Sequence, residues 1–196
     1  MSNIEELYNL LLSEEPSDTI KKHEKEVFYL IPELEKCKGF EQNNDWHIYD
    51  VYEHILHVID NTPSNLVLRL AALFHDIGKP FSYTEDQNGI GHFYGHWEVS
   101  QRIFDEFANN HNIDENLRNR VSELIYYHDI NLSKIDAVKL KELINKFGNE
   151  GLMQLFELKR ADLLAQNKKY NYILDEYESQ KKQLIKNKCN NTYEWP

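Results

Sequence analysis

In Leu66-Val67-Leu68-Arg69-Leu70-Ala71-Ala72-Leu73-Phe74-His75-Asp76-Ile77-Gly78-Lys79 an apolar run, broken only by Arg69, ends on a histidine, an aspartate, a glycine and a lysine. A segment apolar nearly all round has no face to give to solvent, so it predicts a buried central helix over 65–76. Ile77-Gly78-Lys79 turns the chain away, and Gly78 is expected to leave the helix in a positive-φ conformation. Around this segment, apolar periodicity predicts further helices near 3–12, 18–31, 48–60, 95–109, 114–128, 136–147, 150–167 and 171–187. Ser17, Asp114 and Asn149 stand where N-caps belong, and Gly148 can close the helix before it. The stretch Phe81 to Tyr94, with Asn88-Gly89 between short mixed runs, predicts a hairpin or an ordered loop. With only 7 glycines and 5 prolines, no repeat and no linker, the chain reads as one all-α domain.

Composition sets the outer limits. A chain of 196 residues buries enough surface to hold a core without staples, and 41% apolar with 28% charged residues excludes wholesale disorder. No apolar run approaches the length of a membrane span. The N-terminal MSNIEELYNLLLSEEPSD lacks a basic region and is not read as a secretory signal. Cys37 and Cys189 are far apart with no CxxC pair, which excludes a disulfide framework and a thiolate zinc site. A soluble cytoplasmic protein is expected. The net charge of −11 is unfavourable for general nucleic-acid binding, which needs a basic footprint. Residues 159–189 are locally basic, but Lys168, Lys169, Lys181, Lys182, Lys186 and Lys188 read as the solvated face of a last helix.

The informative signal is polar residues on apolar helix faces. In 48–60, His54 lines up with Val51, Ile55 and Val58, whereas His57 falls with Asp50, Glu53 and Asp60. In 95–109, His96 joins Val99, Ile103 and Phe107. In 114–128, His128 joins Val121, Leu124 and Ile125. In 150–167, Asp162 joins Leu155, Leu158 and Ala165, and His75-Asp76 ends the central helix. One inward histidine is ordinarily a satisfied core residue. An inward aspartate must pair, coordinate or become neutral, because burying a lone carboxylate costs several kcal/mol. Two such aspartates and four such histidines from five helices are all divalent-metal ligand types, and a cation at the heart of the bundle removes the cost.

These residues resemble the HD-domain superfamily of metal-dependent phosphohydrolases. The resemblance is carried by His54 in Asp50-Val51-Tyr52-Glu53-His54, by His75-Asp76-Ile77-Gly78-Lys79 and by Ala161-Asp162. His96 in Phe93-Tyr94-Gly95-His96-Trp97-Glu98-Val99-Ser100 and His128 in Tyr127-His128-Asp129 add to it. Ile31-Pro32-Glu33-Leu34, Gln42, Asn43, His47, Asp50-Val51 and His54 further resemble the HD portion of bacterial CCA-adding and poly(A) polymerase-type enzymes, and the likeness covers about residues 28–165. The chain has no room for their nucleotidyltransferase head, so a stand-alone HD protein is expected and polymerase activity is not carried over. On this reading, 1–45 is a helical extension packed on a metal-binding core at 46–167, followed by a C-terminal helix and tail at 168–196.

The resemblance implies that His54, His75, Asp76 and Asp162 hold one divalent ion. His96 and His128 either complete a second, with Asp76 bridging, or serve the substrate or act as acid. Imidazole and carboxylate without thiolate suits Fe, Mn, Co, Ni or Mg better than structural zinc. Such ions make a hydroxide available near neutral pH for attack on a phosphomonoester or phosphodiester and offset charge on the phosphoryl oxygens. Asp76 and Lys79 are the expected catalytic residues, with Lys79 bringing its charge to the phosphate or else capping its helix end. Lys79, His47 and Arg160 are candidate substrate contacts, and Gln166 flanks Asp162. His92 is a weaker alternative to His96, while His23 and His111 read as surface residues. Tyr83, Tyr94, Tyr126 and Tyr127 are candidates for stacking a base, with core roles commoner. The implied substrate is a phosphorylated small molecule, a nucleotide by family analogy, with no membrane partner. A non-hydrolytic nucleotide- or RNA-binding module is the alternative, and a redox di-iron site a more distant one.

Overall fold

The computed structural model describes residues 4–132 and 135–189; the tail 190–196 and the side chains of Lys186, Lys188 and Cys189 lie outside the described residues. The elements in chain order are α1 (Ile4–Leu12), α2 (Pro16–Lys22), α3 (Glu24–Leu30), α4 (Pro32–Glu35), α5 (Val51–Asn61), α6 (Leu66–Phe74) and α7 (Lys79–Ser82). Then come β1 (Thr84–Glu85), β2 (Gly91–His92), α8 (His96–Asn110), α9 (Glu115–Tyr127), α10 (Ala137–Leu164), a 3-10 turn at Lys168–Tyr170, and α11 (Asn171–Cys189). The fold is all-α, as the periodicity predicts, and the hairpin lies where Asn88-Gly89 suggests. Its strands pair antiparallel, Thr84 with His92 and Glu85 with Gly91.

Helix α6 is the axis of the molecule. All its residues from Leu68 to Phe74 are buried, and it packs against α1, α5, α8, α9 and α10. Asn65 starts it by accepting the Leu68 amide at 3.1 Å. Its one charged residue, Arg69, turns its guanidinium to the carbonyls of Leu11 and Ser13 (2.9 Å for Ser13), satisfying orphan acceptors in the last turn of α1 and just beyond it. Asp50 starts α5 by accepting the Glu53 amide at 2.7 Å, and its second oxygen accepts the Gly39 amide at 2.7 Å. That double role fixes both the first turn of α5 and the loop before it. No helix among the described residues is long and apolar enough to cross a membrane.

Four expectations change. The predicted helix 18–31 is two helices, interrupted at His23 (φ −111°), and α4 was not anticipated. Ser17 is not an N-cap. Pro16 opens α2, and Ser17 instead donates its amide and hydroxyl to Asp60 at 3.1 and 2.6 Å, tying α2 to α5. Gly78 has φ −78°, which any residue adopts. Glycine is needed there because a Cβ would stand 2.5 Å from His96 O and 2.7 Å from Ser100 N, on the backbone of α8. The buried face of α8 is His96, Ser100, Phe104 and Phe107, with Val99 and Ile103 only half-buried. Ser100 belongs inside because its hydroxyl accepts the Gly78 amide at 2.9 Å. Gly148 does separate two helical arms within α10, with φ 65° and ψ 178°.

Candidate metal centre

Each side chain of interest is delivered by a helix end or face whose packing is set elsewhere. Val51, Ile55, Val58 and Ile59 anchor α5 in the core and carry His54 inward with them. His75 is the C-cap of α6, and Asp76 follows before the chain turns. His96 opens α8, and His128 ends α9. Asp162 sits in the second arm of α10 beside buried Leu158, Ala161 and Ala165.

The four histidines converge on Asp76, itself only 2% exposed, and Asp162 joins them through His54. Its Oδ2 lies 3.3 Å from His54 Nε2 and 3.2 Å from His75 Nε2. Its Oδ1 lies 3.2 Å from His96 Nε2 and 3.4 Å from His128 Nε2. Asp162 Oδ1 is 3.2 Å from His54 Nε2. The two oxygens of one carboxylate therefore face two different groups of imidazoles. Among the described residues, three overlapping sets can each hold an ion with ligand atoms within 4.8 Å of one another: His54, His75 and Asp162; Asp76, His96 and His128; and His47, His54 and Asp76.

The hydrogen bonds fix the chemical form of these rings. His75, His96 and His128 each place Nδ1 against a backbone carbonyl three residues earlier, Ala72 at 2.7 Å, Phe93 at 2.8 Å and Ile125 at 2.7 Å. A carbonyl only accepts, so Nδ1 carries a proton, and Nε2 is the inward nitrogen that each ring can offer to a metal ion. Burial lowers the pKa of His128; Asp76 opposes this, and His96 and His75 add to it. His96 Nε2 then meets His128 Nε2 at 3.1 Å, two ligand nitrogens turned to one point, an arrangement that a shared cation makes favourable. His75 Nε2 and both nitrogens of His54 are buried without a properly directed hydrogen bond, although carboxylate oxygens lie near. Burial works against ionised Asp76, yet His75 and Lys79 outweigh it and hold its carboxyl well below the ordinary range. Lys159 and His54 do the same for Asp162 against its burial. Inward and orphaned ring nitrogens and two ionised carboxylates form a donor set that fits a divalent cation.

A second layer surrounds the six. Lys79 Nζ donates to Asp76 Oδ2 at 2.7 Å and to Gln42 Oε1 at 2.8 Å, and lies 3.2 Å from His47 Nε2. Burial and the Lys79 charge push His47 down to about 2, so it stays neutral. Lys159 Nζ contacts Asp162 Oδ2 at 3.0 Å, and Gln166 Nε2 donates to Asp162 Oδ1 at 3.2 Å. Asp76, His47, Lys79, Lys159 and Gln166 floor a cavity of about 400 Å³, walled by Trp46, Phe93, Tyr94 and Trp97.

Of the other sequence candidates, Tyr94 and Gln166 line this cavity and Arg160 does not. The Arg160 Nε is turned to Glu178 of α11 at 3.0 Å, one helical step away from the inward face that carries Asp162. His92 lines the rim and faces Asp86 at 3.6 Å, while His96 is the histidine at Asp76. Tyr83 bonds Asn43 and Glu85, and Tyr127 packs on Phe147, both away from the cavity. His57 stacks on Tyr49 outside the centre. Sequence reasoning missed Lys159, Trp46 and Trp97. Lys159 had a signal, since three residues before an inward aspartate is the same helix face.

Residues 44–167 match the HD domain family. Over 113 residues, 55% of the chain, the sequence is 31% identical to the A-adding tRNA nucleotidyltransferase of Deinococcus radiodurans, and the match spans 26% of that protein's length. HD domains bind divalent metals within a superfamily of metal-dependent phosphohydrolases. By a match that covers well over half its length, with His54, His75, Asp76 and Asp162 gathered at one point, the chain belongs to the HD domain family.

Proposed function

We propose that the protein is a phosphohydrolase that cleaves a phosphomonoester or phosphodiester of a nucleotide at a two-ion centre. The observation that carries this reading is Asp76, whose two oxygens face His54 and His75 on one side and His96 and His128 on the other. His54, His75, Asp162 and Asp76 would hold one ion, and His96, His128 and Asp76 the other. The ions supply, when bound, an acidified water near neutral pH and neutralisation of charge on the phosphoryl oxygens.

The chain's own residues prepare the rest. Backbone carbonyls of Ala72, Phe93 and Ile125 hold three rings in the tautomer that presents Nε2. Lys79 keeps Asp76 ionised and aimed, and Gln42 and His47 keep Lys79 in place. Trp46, Phe93, Tyr94 and Trp97 offer flat apolar surfaces beside the centre, which suits a nucleobase. A cavity of this size takes a nucleotide.

The test is a panel of nucleoside mono- and diesters offered to metal-loaded protein, read as phosphate or alcohol release. The reading expects release that stops on chelation and returns with added divalent ion. Full release by chelated protein would refute it. The matched tRNA nucleotidyltransferase supports a second reading, a nucleotide- or RNA-binding module; saturable RNA binding with no release from any ester favours that reading instead.

A further inference from the structure

An ammonium has three N–H donors, and at Lys79 all three have acceptors inside the protein. Asp76 Oδ2 stands at 2.7 Å, Gln42 Oε1 at 2.8 Å and His47 Nε2 at 3.2 Å. His47 is fixed as an acceptor. Asn44 Oδ1 accepts the Trp46 amide at 3.1 Å, so it offers only lone pairs to His47 Nδ1 at 2.8 Å, and that nitrogen carries the ring proton. Gln42 is equally committed, its amide donating to Tyr49 O at 3.2 Å. For Lys79 to reach a substrate it must abandon one of these and leave a buried acceptor unpaired.

Lys159 is placed differently. It projects from α10 one turn before Asp162, with its side chain 13% exposed, and lines the same cavity as Asp76, His96 and His128. Among the described residues its Nζ makes one hydrogen bond, to Asp162 Oδ2 at 3.0 Å, while Asp129 at 4.0 Å is beyond bonding reach.

We infer that Lys159 is the side chain that binds the phosphate group of the substrate, through the Nζ donors Asp162 does not use, and that Lys79 is a positioning residue for Asp76. This inference deepens the phosphohydrolase reading and rests on it for the identity of the ligand. The experiment measures binding of inorganic phosphate to metal-loaded protein by calorimetry, with metal content, for wild type, Lys159→Gln, Lys159→Arg and Lys79→Gln. Ester release is measured on the same samples. Lys159→Gln is expected to weaken phosphate binding about tenfold or more at unchanged metal content, to raise KM more than it lowers kcat, and to be largely rescued in Lys159→Arg. Lys79→Gln is expected to lower kcat or metal content while metal-loaded protein keeps its phosphate affinity. Unchanged phosphate affinity in Lys159→Gln overturns the inference. So does loss of metal together with phosphate, which reduces Lys159 to a support for Asp162. Phosphate binding without release from any ester fails the phosphohydrolase reading while leaving the Lys159 site standing; absence of phosphate binding by wild type fails the inference whatever the esters show.

Discussion

At the scale of residues, the account turns on side chains whose environment makes sense only in company. His54 buries two nitrogens without directed partners, and Asp162 buries a carboxylate, each a net cost in isolation. Helical periodicity was enough to turn His54, His128 and Asp162 inward, because a polar residue on an apolar stripe is visible one helix at a time, whereas His96 shares its buried face with Ser100 and Phe104 and not with the expected Val99 and Ile103. Gly78 shows what periodicity does not reach. Its amide bonds Ser100 and its Cα faces the α8 backbone, a contact between elements that no local pattern contains. Gly78→Ala is therefore expected to destabilise the fold by about 1–3 kcal/mol through overpacking. Because the displaced backbone carries His96, it should also weaken metal binding. Denaturant unfolding and a metal titration check both, and unaltered values in both would contradict the role given to the close approach.

At the scale of elements, caps and glycines place the ends of helices, and the ends carry the chemistry. Four of the six convergent residues lie at or just beyond a helix terminus: His75, Asp76, His96 and His128. The caps at Asp114 and the break at Gly148 were legible, since their residue types have few other uses. Ser17 was misread because Pro16 already opens α2, and a serine in a helix's first turn can bond a distant carboxylate, here Asp60. Gly148 adopts φ 65° and ψ 178°, a region open essentially to glycine, with nothing within 4 Å of a Cβ placed there. Gly148→Ala should accordingly cost about 1–3 kcal/mol by backbone strain alone. Thermal unfolding reads the loss, and metal content should stay at the wild-type value. A neutral substitution would show that the arms of α10 can be joined without that conformation.

At the scale of the whole molecule, the centre is closed by contacts between distant parts of the chain. Asn167 donates its amide to Trp46 O at 2.9 Å and its side chain to Asp45 O at 3.1 Å, and Tyr170 stacks on Trp46 at 3.7 Å. This clasp sets the Trp46 wall beside Asp162. It was invisible in the sequence, since nothing local links residues more than a hundred positions apart. Of the basic C-terminal stretch, Lys169 is exposed and pairs with Asp45 at 2.9 Å from the turn before α11, whereas the Lys181 side chain is only 12% exposed and pairs with Glu157, so the solvated helix face expected of these lysines does not hold at Lys181. Since the candidate ligands come from five helices, a cation that binds only the folded arrangement should stabilise all of it. At a hundredfold excess over Kd the gain is about 2.7 kcal/mol, or roughly 5–10 °C in Tm for a chain of this size. A divalent-ion titration followed by calorimetry checks this, and a Tm indifferent to both ion and chelator would count against it.

The most direct measurement is the metal content of the purified protein after loading and dialysis, by elemental analysis, beside Asp76→Ala prepared identically. The account predicts two divalent ions per wild-type chain and none retained by the folded variant. Wild-type protein that holds no ion, or a variant that holds as many as wild type, would contradict it.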